Sequence, residues 1–293
     1  MAQLGYPDPR LLPSGKLEFR LSRQLSAYNK LDPAPTRVKP IPVQLLQHTI
    51  TFHALTVDHF NHALSDMITL GFYFLLRPGE YASSANPDSA PFRLQDVHLM
   101  LGSRRLHPYR DYNILHAATF VGLEFTNQKN GVRGEMVGLG RSGHATFCPV
   151  QAAIHRIQHL CQHRAPLHTP IYYYFMQAQW QTITTTHLTT ALRRTATSFG
   201  GSFGLNPAEI SARSLRASGA MALLCANVDP DKIRLIGRWR SDEMLRYLHV
   251  QAFPVVARFA PAMLQHGHFT LIPNTPLAAP QPAPLPHGGH GGL

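Results

Sequence analysis

Six residues have side chains suited to chemistry on a bound anion, and each stands at an expected element boundary: Arg77, Lys129, Arg213, Arg216, Trp239 and Tyr247. Arg77 closes the apolar run ending LLRPGE. A guanidinium beside Phe72, Phe74, Leu75 and Leu76 is costly to bury unpaired, and Glu80, three positions on, is its natural partner. A plain helix-end salt bridge explains that pair equally well. Lys129 stands at the tip of a turn signal, QKNG, and is the one lysine between Lys39 and Lys232; a solvated turn lysine is the alternative. In ARSLRASGA, Arg213 and Arg216 are three apart in the first turn of an expected helix. A helix start already offers unpaired N–H groups, so two cations there repel that end unless an anion is bound, which points to a phosphate. In IGRWRSDEMLRYLHV, Trp239 follows Gly237 and Tyr247 follows Trp239 by eight; an isolated helical tyrosine also fits a core.

Other chemistry has less support. The phosphate-cradling pattern G-x-x-x-x-G-K-[ST] and metal-ligand spacings of cysteine are absent from the sequence. His155, His159 and His163 recur every fourth residue around Cys161, one helix face that could take a transition metal. With no carboxylate nearby in sequence to orient them, they read as a polar outer face.

The elements that must position these residues are mostly helical. HALSDMITLGFYFLLRPGEYA (62–82) reads as a buried helix stopping at Pro78–Gly79. Residues 92–101 and 118–126 alternate like strands, and GEMVGLG after QKNG reads as the return strand of a hairpin. Helices are expected over 148–164, starting at Pro149, and over 187–199, 214–228, 229–239 and 241–266. The count gives an α+β fold, mainly helical with one small antiparallel sheet. Residues 1–45, rich in proline and basic, read as an arm or linker with one short helical stretch at 17–30. Residues 46–268 form the main domain, and the Pro/Gly/His-rich tail 269–293 should be disordered.

Composition bounds the partners. Lys plus Arg is 27 against 16 Asp plus Glu, a formal charge of +11, and only five of the 27 cations are lysine. Arginine excess suits bidentate phosphate contacts, although charge alone does not separate DNA from RNA or an anionic membrane. The sequence has no apolar run of about 18 residues, so no spanning helix is expected. The N-terminus lacks an apolar signal region, and three cysteines (148, 161, 225) fit a reducing compartment.

Taken in order, Arg in LLRPGE, Lys at a hairpin, R-x-x-R, GRW and then Tyr resemble the tyrosine recombinase (phage-integrase-like) family over roughly residues 46–266. SLRASGAMALL, GRWRS and LRYLH look especially like recombinases of DIRS-type and Crypton-type mobile elements. The resemblance implies a catalytic domain that cleaves and rejoins double-stranded DNA through a covalent 3′-phosphotyrosine, with no metal, ATP or other cofactor. Arg77 and Arg216 carry over as the phosphate clamp, Lys129 as general acid, Trp239 in the position the family fills with His or Trp, Tyr247 as nucleophile, and Glu80 as the orienter of Arg77. Two departures stand out. Arg213 occupies the usual His position of H-x-x-R and, always protonated, cannot accept the tyrosine proton, though it can bind phosphate; His249 is a nearby substitute. Arg77 and Lys129 are 52 positions apart, an excess expected as a loop around 83–117 carrying Arg104 and Arg105. The family's N-terminal core-binding domain is largely missing, which suits the alternative of a catalytically inactive, truncated or domesticated DNA-binding remnant. After Tyr247, Phe253, Val256, Phe259, Ala260, Met263 and Leu264 form an apolar stripe. It fits the chain's own core or, as the resemblance implies, a neighbouring protomer in a homo-tetramer on DNA. A eukaryotic mobile-element origin would place the protein in the nucleus, and any other origin in the cytoplasm.

Overall fold

A computed structural model describes residues 10–12, 14, 16–24, 38–85, 91–126 and 134–239. Lys129, Tyr247, His249 and the expected helix over 241–266, together with the tail, lie outside the described residues. The chain divides into two units, 1–249 and 250–293, and every described residue belongs to the first.

The fold is the expected α+β arrangement. Helix α1 (Val43–Ala54) leads into α2 (His59–Tyr73), whose start is capped by Asp58, its side chain accepting the Asn61 N–H. Every residue of α2 from Ala63 to Phe72 is buried, the polar Ser65, Asp66 and Thr69 included. The helix ends at Tyr73, well before the expected stop, and the chain turns before a second short helix, α3 (Pro78–Tyr81). The expected single helix over 62–82 is therefore two elements. Pro78 excludes helical backbone at Arg77, and the turn lets Phe74, Leu75 and Leu76 all point into the core.

A four-stranded antiparallel sheet follows: β1 (Val97–Leu101), β2 (Arg104–Leu106), β3 (Phe120–Phe125) and β4 (Glu135–Gly140), in the order β2-β1-β3-β4. Phe125 pairs with Glu135 and Phe120 with Gly140, so residues 126–134 are the connection expected at QKNG. The expected loop over 83–117 is a correction. Residues 97–106 make a β-hairpin turning at Gly102 (φ +57), and a 3-10 stretch, Tyr112–Ala117, follows it. Arg104 and Arg105 lie on its edge strand, where Arg104 pairs with Asp111.

The remaining elements are α4 (Pro149–Gln162), a hairpin of β5 (Tyr173–Met176) and β6 (Gln179–Thr182), α5 (Thr185–Phe199), α6 (Ser214–Cys225) and α7 (Pro230–Ile236). Pro149 at the first position and the Thr184 cap set two of these starts. Residues before α1 already join the core: Ile41 is buried and its N–H donates to Ser218 Oγ at 2.7 Å. Gly219 of α6 sits against the end of α2 so closely that a Cβ there would lie 2.3 Å from the Phe72 carbonyl oxygen. This near contact brings α6, with Arg216, onto the turn that carries Arg77.

Candidate functional site

The site is built on the turn 74–80. Leu75 takes a left-handed backbone (φ +51) with its side chain buried, a conformation that costs roughly 1–2 kcal/mol in a non-glycine residue. Arg77 then stands in extended backbone as the residue preceding α3. Glu80 reaches back to it: Oε2 accepts the Arg77 N–H at 2.7 Å, and Oε1 accepts Arg77 Nη1 at 3.1 Å. The expected Arg77–Glu80 pair therefore forms, but around a helix start and not at the end of a long helix. The Arg77 side chain keeps 31% of its surface exposed.

Arg216 approaches the same turn from α6. It is 4% exposed. Its Nη1 donates to the Leu75 carbonyl and its Nη2 to the Gly237 carbonyl, and its guanidinium lies over the Trp239 ring with Cζ 4.1 Å from the centroid. One side chain thus joins the residue two before Arg77 to the residue two before Trp239. Arg213 behaves differently. It is the cap residue preceding α6, is exposed, and its side chain takes part in none of the hydrogen bonds or ion pairs among the described residues. The expected shared face of Arg213 and Arg216 is not present. Every residue from Ser214 to Met221 is buried, Arg216 among them, while Arg213 precedes the helix and is exposed.

Arg238 is the residue that the motif reading passed over; its only signal was its place between Gly237 and Trp239. Its side chain is 1% exposed and its backbone is left-handed (φ +57). Nη2 donates to Glu80 Oε2 at 3.0 Å, Nη1 donates to the Phe74 and Ile236 carbonyls at 3.2 and 3.1 Å, and Cζ lies 3.8 Å from the Phe125 ring centroid. Burial pulls its pKa below the ordinary arginine value while the Glu80 charge opposes that pull. Glu80 therefore stands between two guanidinium groups, Arg238 buried and Arg77 partly exposed. Such fixed cations can bind an anion and stabilise negative charge that grows on it.

Trp239 is buried, and its ring packs against Gly237: a Cβ on Gly237 would overlap the Trp239 ring at 1.6 Å. Only glycine leaves room for the ring on the Arg216 guanidinium. Arg77, Glu80, Arg216 and Trp239 are thus brought to one turn by residues far apart in sequence. Phe125, stacked under Arg238, is the last residue of β3, the strand that leads into the connection bearing Lys129.

The histidines of α4 lie on a partly exposed face, His155 exposed and His159 and His163 half-buried, and each has a partner. His155 Nδ1 is 3.2 Å from Asp66 Oδ1, so a carboxylate from α2 supplies what the local sequence lacks. His159 Nε2 accepts the Phe175 N–H at 2.8 Å, and burial, with nearby Arg156, His163, His59 and His62, pushes its pKa down to about 3. His163 stacks on Phe175 at 4.4 Å. His59, His62, Asp66, His155 and His159 line a cleft of about 460 Å³. Among the described residues no group of three or more His, Cys, Asp or Glu is arranged to hold a metal ion. Among them, too, no helix is long and apolar enough to cross a membrane. Cys148, Cys161 and Cys225 are free thiols.

No family model and no curated protein matches the chain. Among solved structures it is similar to the Tn1549 transposon integrase in complex with transposon right end DNA, at 12% identity and a TM-score of 0.42, covering 81% of this chain and 68% of that one. The same integrase with circular intermediate DNA gives 13% identity and a TM-score of 0.41, covering 83% and 74%. A likeness this distant assigns neither family nor chemistry to the chain.

Proposed function

We propose that the chain is a DNA strand-exchange enzyme, a recombinase or integrase of the tyrosine type, acting on double-stranded DNA. The observation that carries this reading is Arg216, whose two hydrogen bonds tie the turn of Arg77 to the segment of Trp239 across 141 and 21 residues. Independent salt bridges and core aromatics have no reason to meet in this way.

In this reading Arg77 and Arg216 bind the two non-bridging oxygens of one phosphodiester, and the Trp239 indole N–H donates to one of them. Tyr247 Oη attacks phosphorus, forming the 3′-phosphotyrosine bond and breaking the bond to the 5′-oxygen. Lys129 gives that oxygen its proton, and a base takes the phenolic proton. Rejoining reverses the step. The bond energy is kept in the phosphotyrosine, so the reaction uses neither ATP nor a metal. The enzyme works as a tetramer on DNA, assembled through the apolar stripe after Tyr247. The narrower likeness to DIRS-type and Crypton-type elements, and with it a nuclear location, rests on the SLRASGAMALL, GRWRS and LRYLH motifs alone.

The test is a nicked suicide duplex that traps the intermediate. A covalent protein–DNA adduct is expected, absent in Tyr247→Phe. A folded protein that binds the duplex and forms no adduct would sink the proposal. It would favour the second reading, a DNA-binding remnant without activity, for which Arg213 in place of a proton acceptor already speaks.

A further inference from the structure

We infer that Arg238 is a positioning residue of the proposed site, holding Trp239 on Arg216 and Glu80 on Arg77 at the same time. Its guanidinium touches three separate elements: the turn 74–80 through the Phe74 carbonyl and Glu80, the end of α7 through the Ile236 carbonyl, and the end of β3 through the Phe125 ring. These are the segments that present Arg77, Trp239 and the connection carrying Lys129. With its side chain 1% exposed, Arg238 is enclosed by protein.

The backbone explains how one residue does this. The left-handed conformation at Arg238 turns the chain so that consecutive side chains part company. Arg238 goes to Glu80 and Phe125, and Trp239 goes to Arg216. A non-glycine residue keeps such a backbone only where its surroundings over-determine it, and here two carbonyls, a carboxylate and an aromatic ring do so. Glu80 is the shared joint: Oε2 takes both the Arg77 N–H and Arg238 Nη2, while Oε1 takes Arg77 Nη1. Displacing Arg238 therefore takes one of the three bonds from the Glu80 carboxylate and leaves it, among the described residues, held by Arg77 alone, and the Trp239 ring loses its fixed approach to Arg216. Arg238 acts through its neighbours and is not itself a catalytic group.

The part of this inference that concerns DNA cleavage rests on the strand-exchange reading, so the experiment carries one readout that does not. The sequence has two tryptophans. In a Trp180→Phe background Trp239 is the only indole fluorophore, and its emission reports its burial. Arg238→Gly keeps the left-handed turn without strain while removing the guanidinium, and Arg238→Lys keeps the charge without the fork. The expected result for Arg238→Gly is unchanged helical circular dichroism with a red shift of Trp239 emission, partly reversed in Arg238→Lys. Affinity for duplex DNA should stay within about twofold while the adduct rate falls roughly tenfold or more. Adding Glu80→Gln should lower the adduct rate by less than it does in the wild-type background, because the two residues share a bond and are coupled. If Arg238→Gly does not fold, Arg238→Lys with the same readouts decides. Unshifted emission in both variants overturns the inference, as does an affinity loss as large as the loss in rate, which would make Arg238 a DNA contact. A wild-type protein without any adduct removes the strand-exchange reading and leaves the emission shift to support or overturn the positioning role.

Discussion

The guanidinium of Arg216 lies over the ring of Trp239, its Cζ 4.1 Å from the ring centroid, and both side chains are buried. A buried guanidinium on an aromatic face is worth about 2 kcal/mol when desolvated. The same geometry fixes where the indole N–H can point. Trp239→Phe keeps an aromatic face on Arg216 but removes the N–H. It should melt within a few degrees of wild type yet form adduct roughly tenfold more slowly; equal rates would show that the ring only packs the site.

Glu80 carries the charge balance of the turn. Glu80→Gln removes the carboxylate that pairs with both Arg77 and the buried Arg238, and breaking a buried pair by removing one partner costs about 3–5 kcal/mol. Denaturant unfolding should show a loss near 3 kcal/mol, since Arg77 is partly solvated. A loss under 1 kcal/mol would mean that solvent or another carboxylate replaces it.

Gly219 reverses an ordinary expectation. An interior helical Gly→Ala change normally stabilises by about 1 kcal/mol. Here the new Cβ would stand 2.3 Å from the Phe72 carbonyl oxygen, and that oxygen belongs to backbone, which cannot swing aside. Gly219→Ala should destabilise by about 2 kcal/mol or more and push Arg216 away from the Leu75 carbonyl. Chemical denaturation gives the sign directly.

Acid should weaken the fold partly through His159. Its folded pKa, about 3, lies below the ordinary 6.5, so between these values the unfolded chain binds the extra proton and the folded chain does not. Stability is then full above about pH 6.5, falls as pH drops through that window, and stops falling from this source near pH 3. His159→Gln can still accept the Phe175 N–H and does not titrate. Its melting temperature should fall less steeply between pH 6.5 and 4.5 than that of the wild type.

Arg213 is exposed and outside the pairs of the described residues, so its removal should leave stability within about 0.5 kcal/mol. As a phosphate contact it would release a counterion on binding. Arg213→Ala should then lower the slope of log affinity against log salt by about 1. An unchanged slope would show that Arg213 does not meet DNA.

Local patterns fixed much of the scaffold. Pro149, the apolar period of 214–225 and the alternation on either side of QKNG place α4, α6 and the β3–β4 pair close to where they occur, because caps, periodicity and turn chemistry act within a few residues. The hairpin of β5 and β6 escaped notice: its turn is made by Gln177 and Ala178 in left-handed backbone, with neither Gly nor Asn to announce it. Arg77, Arg216 and Trp239 were legible as types and as an order, and Glu80 as a neighbour. What the sequence by itself determined was therefore the class of fold and a set of cations spaced as if for one anion. Only the tertiary structure decided which of them share a turn, that Arg213 stands apart, and that Arg238 joins Glu80. Those choices depend on contacts across 141 and 158 positions, set by how closely α6 can approach α2 and by which charges burial forces to pair. No local period encodes such contacts, so they became visible only once the chain had closed on itself.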